Sequence, residues 1–106
     1  LGRHRPGEPE PGLIMTEAIR SQLEAGRLAR ADGRMVDARN AYARATALSR
    51  EARAHSLQAL GLRHLAEIDL GARRPEAADR WNAARDLYQA AGDTEAAADC
   101  DGRAAG

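Results

Sequence analysis

The stretch ARNAYARATAL at residues 38–48 returns at residues 77–87 as AADRWNAARDL. Ala38, Tyr42, Ala45 and Leu48 become Ala77, Trp81, Ala84 and Leu87, all offset by 39 residues. Within each block these residues recur at helical spacing, so they share one helix face. Both blocks follow a turn, DGRMVDA in the first and GARRPEA in the second. The pattern has a packing logic. A small residue lets the second helix of a hairpin close on the first. One turn later an aromatic fills the space between neighbouring hairpins, and a second small residue leaves room for the next unit.

Reading outward from these blocks, the chain divides into helices and short turns. The first helix is expected over residues 13–32. Ile14, Ala18, Gln22, Ala25 and Ala29 form its apolar stripe, flanked by Ile19 and Leu23. Gly33 ends it as a left-handed cap. The second runs over 35–50. The third runs over 53–70, with Leu57, Leu60, Gly61, Leu65 and Ile68 inward, and Gly71 ends it. Pro75 opens a fourth helix over 75–91, where its missing N–H costs nothing. Gly92 ends that helix, and Asp93 or Thr94 caps a fifth over 94–104. Ala96, Ala97, Cys100 and Ala104 form the apolar side of this last helix, with Asp99, Asp101 and Arg103 opposite.

Residues 1–12, LGRHRPGEPEPG, hold three of the four prolines and read as an extended tail. Met15 is a candidate natural start, with the stretch before it a leader or an appended sequence. If ordered, the tail is expected along a groove or an interchain surface, bringing Glu8 and Glu10 near arginines.

The spacing of Ala38, Tyr42 and Ala45, and of Ala77, Trp81 and Ala84, resembles the tetratricopeptide repeat (TPR), as do Gly26 and Gly33. The offset is similar to the long bacterial variety of roughly 40 residues, in which a Gly-Asp pair like Gly92-Asp93 precedes a new hairpin. The resemblance covers residues 16–104. It implies an all-α fold, an α-α superhelix of antiparallel hairpins with about two repeats and a capping helix. It also implies a non-enzymatic scaffold that binds a peptide or partner helix in a groove lined by the first helices of the hairpins. The chain departs from the family in three places. The first helix lacks large aromatics, and the third is about one residue too long. The proline expected near the end of each second helix is absent, with Arg50 near that point in the first unit.

Arg20, Leu23, Arg27, Arg30, Arg63 and His64 are the candidate groove residues that this resemblance implies. Guanidinium forks there would favour an acidic peptide or a terminal carboxylate. The competing reading pairs those arginines with Glu24 and Glu67 along their own helices. The family's carboxylate clamp uses Lys and Asn. Leu23 and Arg27 stand near those positions, so that clamp is not implied.

Composition bounds the remaining classes. Sixteen basic residues, all Arg, balance sixteen acidic ones, which argues against a nucleic-acid binder or a membrane-surface helix. The Arg and Ala bias fits a GC-rich bacterial genome. One cysteine excludes an intrachain disulfide, and with no secretory leader this points to a reducing, cytoplasmic setting. Cys100 sits beside Asp99 and Asp101, which disfavour a thiolate, so a packing role is expected. His4, His55 and His64 are scattered, so no metal site and no cofactor are expected. Glu67 and Asp69, like Asp99 and Asp101, fall on different helix faces and read as solvated surface rather than a catalytic pair. The core is thin, with three aromatics and no Phe, which makes a homo-oligomer a natural expectation. The alternative function is therefore self-association within a bacterial regulator.

Overall fold

The computed structural model describes residues 11–71 and 74–105. It is all-helical across them. The elements are α1 (Pro11–Ala31), α2 (Met35–Glu51), α3 (His55–Gly71), α4 (Glu76–Ala90) and α5 (Thr94–Ala105). Ala, Arg, Leu, Glu and Gln dominate these segments, all strong helix formers. Each helix packs on its neighbours in the chain, giving a stack 50 × 32 × 19 Å. No helix among the described residues is long and apolar enough to cross a membrane.

Three of the expected helix starts move. α1 opens at Pro11, inside the segment expected to be extended, because proline is well placed at a first helical position. The rest of the tail, with the expectation for Glu8 and Glu10, lies outside the described residues. α3 opens at His55, because Arg53 sits in the turn with φ +53°. Pro75 precedes α4 as its flanking residue, and the Asp93 carboxylate caps α5 by accepting the Ala96 N–H at 3.1 Å.

The 39-residue offset recurs in backbone geometry. After α2, the Ala54 N–H donates to the Ser49 carbonyl and the Arg53 N–H to the Arg50 carbonyl. After α4, the Asp93 N–H donates to Tyr88 and the Gly92 N–H to Gln89. These are the paired bonds of one helix-ending turn. The turn after α1 has the same form, from Arg34 to Ala29 and from Gly33 to Arg30. After α3 the long bond runs from Arg74 to Asp69, one residue later than the offset requires, which matches the extra residue read in the third helix.

Small residues bring the helices together. Ala38, Ala45, Ala59, Ala66 and Ala84 are fully buried. Gly26 lies against the Tyr42 ring, where an added Cβ would stand 2.7 Å from the aromatic carbons. Tyr42 and Trp81 are the largest fully buried side chains. Burying each stabilises by roughly 4–6 kcal/mol before entropy is counted. Two clusters result. One gathers Ala29, Ala38, Tyr42 and Leu65, and the other Ala59, Ala66, Trp81, Ala84, Tyr88, Ala97 and Cys100. Each aromatic meets a ring or cation 22 residues on. Tyr42 stacks on His64 with centroids 4.5 Å apart, and Arg103 lies 5.1 Å over Trp81.

Two burial assignments change, while Cys100 is buried as expected. In α1 the buried line is Ile19, Gly26 and Ala29, whereas Ile14 and Ala25 are exposed. The stripe is rotated because the Tyr42 ring of α2 lies against Gly26. Asp69 is not solvated surface but fully buried. The Cys100 thiol is pushed up first by burial, with Asp99 only a secondary cause opposed by Arg63 and Arg103.

Candidate functional site

α1 and α3 leave a cleft of about 440 Å³ between them, lined by Arg20, Leu23, Glu24, Arg27, Leu57, Leu60 and His64. Four of the six candidate groove residues, Arg20, Leu23, Arg27 and His64, thus meet in one place. Leu57 and Leu60, which the sequence placed in the core, are half-buried and line it. The cleft has an apolar floor of leucines and a charged rim.

The rim is partly self-neutralised. Arg27 grips Glu24 with two bonds, Nη2 to Oε1 at 2.5 Å and Nε to Oε2 at 3.0 Å. That contact holds the Glu24 carboxyl below the usual carboxylate range and raises Arg27. Both side chains are exposed, so the pair is open to exchange with a competing carboxylate. Among the described residues Arg20 makes no ion pair. Burial pushes His64 below its ordinary value and Glu67 opposes that shift, while Arg30 and Arg63 add to it. The imidazole is therefore neutral near pH 7. Its Nδ1 lies 3.8 Å from Glu67 and has no hydrogen-bond partner among the described residues.

Arg30 and Arg63 stand elsewhere. Arg30 donates to Glu67 at 2.7 Å and lines a neighbouring pocket. Arg63 donates to Asp99 at 2.7 Å and lies only 4.0 Å from Glu67, in a depression with Asp93 and Glu95. Carboxylates on other elements draw each of them out of the groove. The pairing expected along the helices is formed in part, by Arg27 with Glu24 and at 4.0 Å by Arg63 with Glu67 but not by Arg20, and Arg30 and Arg63 have cross-helix partners that the sequence did not reveal.

A second constellation escaped the sequence. Asp69, at the end of α3, is 0% exposed and is approached by three arginines. Arg39 of α2 donates from Nε at 3.4 Å, Arg80 of α4 reaches it through Nη1, and Arg74 Nε lies 3.9 Å away. Burial, then the Arg39 charge, pushes Arg80 down, a sign of crowded cations. One signal was available: an acid adjoining the inward Ile68 and one turn beyond the buried Leu65. The arginines that answer it were not legible, being spread over three elements.

Among the described residues no group of three or more His, Cys, Asp or Glu could hold a metal ion. No protein-family model matches the chain, and no curated protein or solved structure matches it significantly. The arrangement offers recognition: hydrophobic side-chain pockets beside guanidinium forks.

Proposed function

We propose that the protein is a non-enzymatic, TPR-like interaction scaffold that binds an extended peptide or a partner helix in the cleft between α1 and α3. The observation that carries this reading is the convergence of Arg20, Leu23, Arg27 and His64 with Leu57 and Leu60 on one cleft. Leucines at helical spacing accept apolar anchors of the partner. Arg20 and an Arg27 released from Glu24 take its carboxylates. An array of short peptides varying in acidic and apolar content tests this with the wild type, Arg20→Glu, Arg27→Glu and Arg50→Glu, the last lying outside the cleft lining. Acidic peptides with leucine anchors bind the wild type and Arg50→Glu, and lose about tenfold or more in affinity with the two cleft variants. Capture that is indifferent to Arg20→Glu and Arg27→Glu would remove the cleft from consideration.

A further inference from the structure

The apolar side chains that the fold leaves exposed are not scattered evenly. Met35 and Val36 open α2 at 47% and 74% exposure, and Leu70 near the end of α3 is 59% exposed. Met35, Val36 and Ile68 wall a pocket of about 350 Å³ whose other lining residues are Arg30, Arg39, Arg74, Glu67 and Gly71. This pocket is distinct from the α1–α3 cleft and shares no lining residue with it.

Charge around the pocket is unbalanced. The buried Asp69 carboxylate serves Arg39, Arg74 and Arg80 together. Glu67 serves Arg30, and Arg63 and His64 approach it as well. Four guanidinium groups, those of Arg30, Arg39, Arg74 and Arg80, thus share two carboxylates. Each guanidinium carries five N–H donors, more than two carboxylates can accept. In a chain of zero formal net charge this is a local cationic excess beside an apolar wall. Repulsion from Arg39 at Arg80 is consistent with it.

We infer that this pocket, built by Arg30 of α1, the start of α2, the end of α3 and Arg74, is a second docking site, and that its occupant is an acidic polypeptide segment of a partner in which carboxylates alternate with branched apolar side chains. The apolar wall formed by Met35, Val36 and Ile68 gives a free inorganic anion nothing. The arginines make a purely apolar segment a poor match. A segment carrying both features fits the lining, with carboxylates taking the donors that Asp69 and Glu67 leave over. The inference stands independently of the α1–α3 cleft.

The probe is a short fluorescent peptide alternating Leu with Asp, beside versions with Asn for Asp and Ala for Leu, titrated by anisotropy at low and high salt. Val36→Asp tests the wall at an exposed site. An acid in the first turn of a helix is well tolerated there, so folding is not at stake. Arg74→Glu tests the cationic side at a half-exposed residue, with a thermal melt to verify folding, and Val36→Asp decides the matter if Arg74→Glu is unstable. The wild type binds the Leu-Asp peptide, both control peptides bind about tenfold more weakly, and high salt weakens binding. Val36→Asp and Arg74→Glu each lose about tenfold, and Arg50→Glu loses nothing. Equal binding of the Asn version overturns the proposal, and so does a loss caused by Arg20→Glu but not by Val36→Asp, which would put the peptide in the other cleft. Concentration-dependent dimerisation abolished by Val36→Asp would also overturn it, in favour of a second copy as occupant.

Discussion

Arg53 carries a backbone φ of +53°, in the region that L-residues with a Cβ avoid. Its counterpart 39 residues on is Gly92, with φ +80°, in a turn closed by the same hydrogen bonds. Gly33 plays the same part after α1, at φ +77°. The two glycines announced their turns in the sequence, and Arg53 did not, since nothing in Arg-Ala signals a left-handed residue. The closing of α3 onto α2 imposes that conformation, at a cost of about 1–2 kcal/mol. Arg53 is exposed. Arg53→Gly is therefore expected to stabilise the fold by about 1 kcal/mol, after the extra entropy of glycine in the unfolded chain is deducted. Urea denaturation measures it, and a midpoint that falls would show that the Arg53 side chain contributes more than its backbone costs.

At the scale of elements, α1, α2 and α3 meet around His64. The ring stacks on Tyr42 of α2, and Glu67, Arg30 and Arg63 are the charged groups around it. Burial depresses its folded pKa below the ordinary 6.5. Above 6.5 the imidazole is neutral in both the folded and unfolded chains and costs nothing. As pH falls below 6.5 the unfolded chain takes up the proton first, so folding stability drops until the folded value is passed, and levels off beneath it. The melting temperature of the wild type is expected to fall across this window more steeply than that of His64→Gln, measured at matched salt. Parallel curves would mean that His64 is solvated in the folded state. The stack of Tyr42 on His64 and the placement of Arg103 over Trp81 are one repeated contact, met by a ring in one unit and a cation in the other. The sequence showed both aromatics but neither partner, because α3 and α5 contribute them from faces that only docking selects.

Over the whole molecule, contacts run from each helix to its neighbours, so stability accumulates from nearest-neighbour interfaces as in a repeat array. α5 packs on α4. Its inner face, with Ala97 and Cys100, covers Trp81 and Tyr88, Arg103 reaches over the Trp81 ring, and Glu95, Asp99 and Asp101 are exposed. A chain ending at Gly92 would uncover roughly 200 Å² of aromatic surface, about 5 kcal/mol. That is about a third or more of the stability of a domain this size. Such a truncation is expected to lose its cooperative thermal transition and to bind a hydrophobic dye, both read by circular dichroism and fluorescence. A truncated chain that still melts sharply would show that α5 is an appendage and not a cap.

The helices and their 39-residue offset are legible in the sequence. Small-aromatic-small spacing and glycine-ended helices are local signals, written within a turn or two of the residues they govern. The resemblance to the tetratricopeptide repeat implied a groove of Arg20, Leu23, Arg27, Arg30, Arg63 and His64, of which the first three and His64 share one cleft. Where the charges go depends on how the helices dock. Asp69 is buried among Arg39, Arg74 and Arg80, and Arg30 and Arg63 turn away to Glu67 and Asp99. Arginine is long and its partners are chosen through space. Which of sixteen guanidinium groups meets which carboxylate depends on how far each helix rotates as it docks, and that rotation is set by where Gly26 and the buried alanines let two backbones approach.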